Sequence, residues 1–315
     1  MKGMREFLSH NRAYIALSHA SYRWMTRISP LWNSRRRFYK VFGFYPRLSR
    51  PMWWSEKLLW LKLNCYNGSP LVRRCANKYG VRSYVTEKGC PELLIDCLGL
   101  WENENRVPFA DLPDAFVLKS TMGCGGHVFC RDKAALDIPA ARRRLHASLN
   151  DRYYLDYGEL QYAPGKDMRP EVIGERLVET GNGRMLSDFK LFCFHGEPSF
   201  LLYCYDRDET GHAKYMFFDR DWKPRPELHP CDALDDPPER PACVDDMLRY
   251  ARILSAPFPF VRVDFYEERG VPRIGELTFT PSACLDAELT PLGQERLGAL
   301  LDLSRVAPAG FRSMT

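Results

Sequence analysis

Two stretches decide the fold: Val261-Arg262-Val263-Asp264-Phe265-Tyr266 and Arg273-Ile274-Gly275-Glu276-Leu277-Thr278-Phe279. Strand alternation puts Val261, Val263 and Phe265 on one face of the first and Arg262 and Asp264 on the other. In the second, Ile274, Glu276 and Thr278 alternate against Gly275 and Leu277. A turn over 268–272 centred on Gly270 sets Asp264 opposite Glu276 and Arg262 opposite Thr278, with facing Cβ atoms roughly 5 Å apart. Two carboxylates then share one patch of sheet.

Like charges so opposed are destabilising unless a cation compensates or one carboxyl takes up a proton. A hard divalent ion on oxygen ligands, magnesium with nucleotide phosphates above all, meets that need. The competing reading is two ordinary surface acids, because a slip of one residue sends one of them to the opposite face.

Working back along the chain, Phe116-Val117-Leu118-Lys119 leads into Ser120-Thr121-Met122-Gly123-Cys124-Gly125-Gly126. An apolar strand ending in Lys and entering a glycine loop lets backbone N–H groups approach phosphate while the ammonium supplies charge. No Gly-Lys-Ser/Thr closes the loop and a strand follows it, so it is neither a Walker loop nor a dinucleotide fingerprint. Glycine clusters also mark plain hairpin turns. A third group places Asp188 and Lys190 on one face of a strand, while Glu175-Arg176-Leu177-Val178 runs toward a Gly-Asn-Gly turn; each alone is ordinary sheet decoration.

The patterning between these motifs is α+β. Helices are expected from Ser55 as cap to Leu63, from Ser69-Pro70 with Leu71, Val72, Cys75 and Tyr79 on one face, over 139–149 behind Asp137, and over 244–254. Strands are expected over 93–98, 116–120, 127–131, 172–179 and 215–218, with a hairpin of 188–194 and 199–205 turning at His195-Gly196.

In this order the motifs resemble the ATP-grasp superfamily, and most closely its TupA-like branch, named for teichuronopeptide biosynthesis. The matching stretches include Trp54-Ser55-Glu56-Lys57-Leu58, Asn77-Lys78-Tyr79-Gly80-Val81-Arg82, 116–126, 188–194, 260–264 and 275–281. The resemblance implies an ATP-grasp fold, two α+β subdomains clasping ATP, behind a basic helical N-terminal extension. It further implies Lys78 and Lys119 at the phosphates, Gly123, Gly125 and Gly126 folding over them, and Glu175, Arg176, Leu177 and Val178 at adenine. Asp264 and Glu276 would hold magnesium, and Arg262 and Lys190 would stabilise charge on the transferring phosphoryl group. Asp188 would serve ribose, metal or hydrogen-bond orientation. Thr278 stands where the superfamily usually carries Asn, and its hydroxyl can still ligate magnesium. The loop departs from the family at Cys124 and His127; a histidine satisfied within the sheet is favoured over a phosphate contact for His127.

The implied activity is an ATP- and magnesium-dependent carboxylate–amine ligase working through an acylphosphate on a surface-polysaccharide or cell-envelope precursor. The alternatives are an ATP-grasp kinase acting on a hydroxyl and a non-catalytic module of a polysaccharide assembly complex. The expected divisions are 1–52, a basic extension; 53–110, a helical and α/β part; 111–180, with the glycine loop; and 181–315, with the metal hairpin.

With 315 residues, 45% of them apolar, the chain can bury a sizeable core. Its net charge of +5 conceals an asymmetry, since 1–50 hold eleven Lys or Arg against one acid, Glu6. That block suits a helical extension packed on the body or contact with an anionic membrane or glycan. Nucleic acid is disfavoured, because no nucleic-acid motif accompanies the charge. The eleven cysteines form no Cys-x-x-Cys pair, which suits a reducing cytoplasm. The apolar run 14–17 is too short for a signal or a membrane span, so a cytoplasmic protein, docking at most on the inner membrane face, is expected.

Overall fold

A computed structural model describes residues 12–165, 168–178, 186–205, 213–230 and 237–306. Residues 1–11, the Gly181-Asn182-Gly183 turn and part of the acidic, Pro-rich stretch 224–241 lie outside the described residues.

Two helices, α1 (Arg12–Ile28) and α2 (Pro30–Phe42), lead the chain, the second capped by the Ser29 hydroxyl. Three more follow, α3 (Trp54–Asn64), α4 (Pro70–Ala76) and α5 (Gly80–Glu87). Ser55 lies inside α3 rather than capping it. The buried Glu56 carboxylate instead reaches back to the N–H groups of Arg47, Met52 and Trp53 at 2.9–3.1 Å, completing the return half of a capping box. Helix α4 starts as expected, with the Ser69 hydroxyl accepting from the Val72 N–H. It stops before Tyr79, because the Asn77 side chain accepts from the Tyr79 and Gly80 N–H groups and opens α5. Tyr79 is therefore exposed and not on the buried face.

The first sheet is antiparallel in the order β1-β4-β2-β3: β1 (Cys97–Trp101), β2 (Phe116–Ser120), β3 (Val128–Cys130) and β4 (Val172–Arg176). The strand expected over 93–98 is displaced to β1, since Pro91 favours a 3-10 turn over Pro91–Leu93. Helix α6 (Ile138–Leu149), capped by Asp137, buries Ala141 and Leu145 against Phe116, Leu118 and Val172. The short α7 (Tyr153–Tyr157) follows it.

The second sheet is antiparallel in the order β7-β6-β5-β8-β9: β5 (Asp188–Phe194), β6 (Glu197–Tyr205), β7 (Lys214–Asp219), β8 (Phe260–Glu268) and β9 (Val271–Thr278). Helix α8 (Val244–Ser255) lies on the face built from Phe189, Leu191, Val261, Val263 and Phe265, all fully buried. The other face is apolar at one end, where Trp54 packs on Phe192 and Phe260 at 5.8 and 5.6 Å. The same face turns charged one residue pair further along, at Arg262. The final helix, α9 (Pro291–Leu300), returns to α3, where the Lys57 ammonium donates to the Gly298 and Leu301 carbonyls.

The basic extension packs on the body. Arg23 forks onto Asp156 at 2.9 and 3.0 Å, Asn33 donates to the Asp156 carbonyl, and Arg37 lies between the rings of Tyr22 and Tyr157. Among the described residues no helix is long and apolar enough to cross a membrane.

Candidate functional site

The terminal hairpin has the expected register, reached by a different path. Arg269 and Gly270 form a two-residue turn with φ of +52° and +82°, so Glu268 pairs with Val271 and Phe265 with Ile274. Continued regularly, that pairing would set Asp264 against Gly275. Instead Gly275 is an extra, bulged residue, and the register beyond it resumes as Asp264 against Glu276 and Arg262 against Thr278. A Cβ at Gly275 would meet the Tyr266 ring at 3.0 Å and the Asp264 carbonyl at 3.2 Å, so a larger residue crowds the bulge. The bulge also corrects the expected alternation: Ile274 pairs with the buried Phe265 and lies on the core face, away from Glu276.

On the polar face the side chains interlock. Arg262 grips both oxygens of Asp264, at 2.7 and 2.6 Å, and donates to the Thr278 hydroxyl at 3.2 Å. That hydroxyl donates to Glu276 at 2.8 Å. Lys190, opposite Asp264 on β5, stands 3.5 Å from it and 3.7 Å from Asp188. The carboxylate pair is thus compensated within the protein by Arg262, and no metal is needed to make its closeness tolerable. Its donor set still fits magnesium: three oxygens of hard character, with the Glu276 side chain 47% exposed and open lone pairs on both carboxylates.

The opposing wall comes from the first sheet. Lys119 and Glu175, diagonal neighbours across β2 and β4, form a 2.7 Å ion pair, and Arg82 of α5 approaches the other Glu175 oxygen at 3.4 Å. Lys78 is anchored twice on the glycine loop, its N–H to the Thr121 carbonyl and its ammonium to the Gly123 carbonyl at 2.7 Å. Gly123, Gly125 and Gly126 all have positive φ. At Gly123 and Gly125 a Cβ would meet nothing within 4 Å, whereas at Gly126 it would strike Ser148 at 2.6 Å. The loop is therefore open on one side and pressed on α6 at its end.

Electrostatics join the two walls. Burial works to raise the Glu276 carboxyl, but Lys78 foremost, then Arg262 and the Thr278 hydroxyl, hold it below its ordinary value. Burial lowers the Lys78 ammonium, with Glu276 opposing. Burial pushes the Asp264 carboxyl up against the pull of Arg262 and Lys190. Burial, the largest single influence, would lower Lys190, but Asp264 and then Asp188 act together against it and the ammonium rises. Burial first, then Lys78 and Lys119, take His127 down to about 4, so its ring is neutral. Among the described residues the buried His127 Nε2 has no hydrogen-bond partner. An orphaned polar atom beside two lysines and an open glycine loop fits a phosphate-bearing ligand.

Arg176 is spent elsewhere. It bridges Glu268 at 2.6 and 3.0 Å and Asp96 at 3.1 Å, tying the first sheet to the tip of the terminal hairpin. Val178 is buried, and Leu177 partly so. Sequence reasoning missed Arg82, which lies in the first turn of α5, four residues after Lys78. It also missed a buried polar chain in which Gln161 donates to the Thr280 hydroxyl and that hydroxyl donates to Glu159. No spacing marks that chain. Next to it Ser282, Ala283 and Cys284 all hold positive φ without a glycine, a strained arrangement of the kind that collects at functional sites. A cavity beside the loop is lined by Ser120, Met122, Gly123, Tyr153, Tyr154 and Tyr162, among others.

A family model described as TupA-like ATP-grasp matches residues 56–302. No curated protein matches the chain. Similar solved structures include a D-alanine–D-alanine ligase from Bacillus anthracis, 13% identical over 71% of this chain and 62% of that one, with a TM-score of 0.40. The D-cycloserine synthetase DcsG is 17% identical over 74% of this chain and 71% of that one, at 0.41. The ATP-grasp ligase PsnB, complexed with a minimal precursor, is 15% identical over 78% and 67%, at 0.38. The chain spans less than two thirds of the Bacillus anthracis ligase.

Proposed function

Because this chain belongs to the TupA-like ATP-grasp family and has its α+β ATP-grasp fold, we propose that it is an ATP- and magnesium-dependent carboxylate–amine ligase acting on a cell-envelope or surface-polysaccharide precursor. The observation that carries the reading is the meeting of Asp264, Glu276, Arg262 and Lys190 on one sheet, electrostatically coupled through Lys78 to the glycine loop.

Lys78 and Lys119 face the phosphates of ATP, and the N–H groups of Gly123, Gly125 and Gly126 cover them. Residues Glu175, Arg176, Leu177 and Val178 border adenine, with Arg176 contributing backbone because its guanidinium is engaged by Glu268. Asp188 orients Lys190. Asp264, Glu276 and Thr278 would hold magnesium, which would supply charge neutralisation to the phosphates. Arg262 and Lys190 stabilise the charge that spreads over the transferring phosphoryl group. The substrate carboxylate attacks the γ-phosphorus, the β–γ bridging bond breaks, and ADP departs. The amine then attacks the acylphosphate carbonyl, phosphate leaves, and the nitrogen loses a proton. Phosphorylation is needed because a bare carboxylate oxygen is a poor leaving group. The tyrosine-lined cavity beside the loop supports a carbohydrate-bearing substrate, since flat rings with polar tips receive amphipathic ligands.

The test has two arms. Thermal stabilisation by ATP with magnesium should appear in the parent and be strongly reduced in Asp264→Ala and Lys119→Ala. Hydroxylamine should trap an acyl group when candidate uronic acids or amino acids are supplied. Nucleotide stabilisation with phosphate transfer to a hydroxyl, and no trapping, would identify a kinase instead. A parent that ignores ATP would leave a non-catalytic module.

A further inference from the structure

Helix α1 is packed inside out. The face it turns to the body is polar: Arg23 is forked onto Asp156, Thr26 accepts from Asn33, and Tyr22 carries the guanidinium of Arg37. The face it turns to solvent carries Leu17, Ala20, Trp24, Arg27 and Ile28, spaced at helical period, with Trp24 64% exposed. The apolar run continues through the corner at Ser29 into Leu31 and Trp32, the latter 63% exposed, and then meets Arg35 and Arg36. Residues 12–50 contain nine Lys or Arg and no acid.

An amphipathic helix ordinarily buries its apolar stripe in its own protein. Here polar bonds fix the opposite orientation, so the exposed stripe is held in place rather than left over. Tryptophans beside arginines are the residues of a membrane interface, with ring bodies among acyl chains and cations at the headgroups. Self-association through this face would press two acid-free cationic surfaces together, which disfavours a second copy.

We propose that the corner of α1 and α2, centred on Trp24, Ile28, Leu31 and Trp32 with Arg27 and Arg35, is a docking face for an anionic lipid bilayer, seating the protein on the membrane surface without spanning it. Segment 153–157, on which the helix pair is clamped, also supplies Tyr153 and Tyr154 to the loop-side cavity. Docking therefore sets the height of that cavity above the lipid. The inference does not rest on the ligase reading, because nucleotide stabilisation and vesicle binding succeed or fail separately.

The test is flotation of the full chain with vesicles of equal parts phosphatidylcholine and phosphatidylglycerol, against phosphatidylcholine alone. The parent should float with the anionic vesicles only, and less as salt rises. Trp24→Ser with Trp32→Ser should lose at least tenfold in binding, and Arg27→Gln with Arg35→Gln roughly fivefold for each arginine. Both variants should keep the parent's unfolding temperature and its response to ATP with magnesium, since all four side chains are exposed. A parent that ignores anionic vesicles, or tryptophan variants that bind them equally well, would overturn the proposal. So would a parent that is dimeric by light scattering and becomes monomeric in the tryptophan variant, which would make the face a contact between copies.

Discussion

Replacing Asp264 by Asn removes one negative charge from the centre of the cleft and keeps the shape. The Asp264 side chain is 7% exposed, and the two cations it answers, Arg262 and Lys190, are themselves largely buried. Breaking a buried pair on one side costs about 3–5 kcal/mol, because the remaining charges are left without an answer, although the amide is spared the burial penalty that raises the Asp264 carboxyl, which offsets part of that cost. Arg262 retains the Thr278 hydroxyl and lies 3.8 Å from Glu276, so the lower end applies. At about 2 °C per kcal/mol for a large domain, melting should fall by about 6 °C. ATP with magnesium at a hundred times its dissociation constant should stabilise the parent by about 2.7 kcal/mol and the variant scarcely at all. Scanning calorimetry of both proteins, with and without nucleotide, reads the two effects together. A variant within about 0.5 kcal/mol of the parent would refute the buried-pair argument. A variant with the parent's full nucleotide shift would refute the placement of magnesium.

Two glutamates should give pH dependences of opposite sign. Burial raises the Glu159 carboxyl, with Lys62 and the Thr280 hydroxyl opposing; the proton is held more tightly in the folded state, so stability falls as pH rises above the unfolded value of about 4.3. Glu159→Gln should therefore be the more stable protein at neutral pH, the gap closing in acid, as urea midpoints across that range would show. Glu268 is held below its ordinary value by Arg176 first and Arg273 as well, so its contribution is present above that unfolded value and lost as pH falls through the folded one. Glu268→Gln should cost about 1 kcal/mol at neutral pH and nothing in strong acid. Gly126→Ala, at φ +68° and 2.6 Å from Ser148, should cost about 2 kcal/mol and weaken nucleotide binding in calorimetric titration, whereas Gly123→Ala, with open space around it, should cost less. Lys119→Met leaves Glu175 to Arg82 alone and should abolish the nucleotide shift while leaving far-UV circular dichroism unchanged.

The parts of the fold that could be read in the chain were those where local pattern and tertiary packing agree. Phe116–Ser120 and Asp188–Phe194 are apolar-rich runs whose expected bounds match the strands, and Asp137 caps its helix as its side chain dictates. Boundaries failed where a side chain far from the pattern took over. Glu56 caps α3 from within, and Asn77 ends α4 before Tyr79. In the site, the expected pairing of Asp264 with Glu276 is met because two departures cancel: the turn is one residue shorter than the sequence suggests, and the bulge at Gly275 adds that residue back. The engagement of Arg176 by Glu268, and the chain Gln161–Thr280–Glu159, join segments 92 and 119 to 121 residues apart. Such long-range bonds leave no trace in a local window.

The bulge at Gly275 separates the hairpin into two mechanically distinct halves. Between it and the turn, matched residues can be added to or taken from both arms without moving the charged cluster, because equal changes on both strands leave the one-residue offset at Gly275 unchanged. Loss of Gly275 itself would straighten the ladder, which would run from Phe265–Ile274 directly to Asp264–Glu276, so a single-residue deletion there should keep the two carboxylates opposed and remove only the local bend.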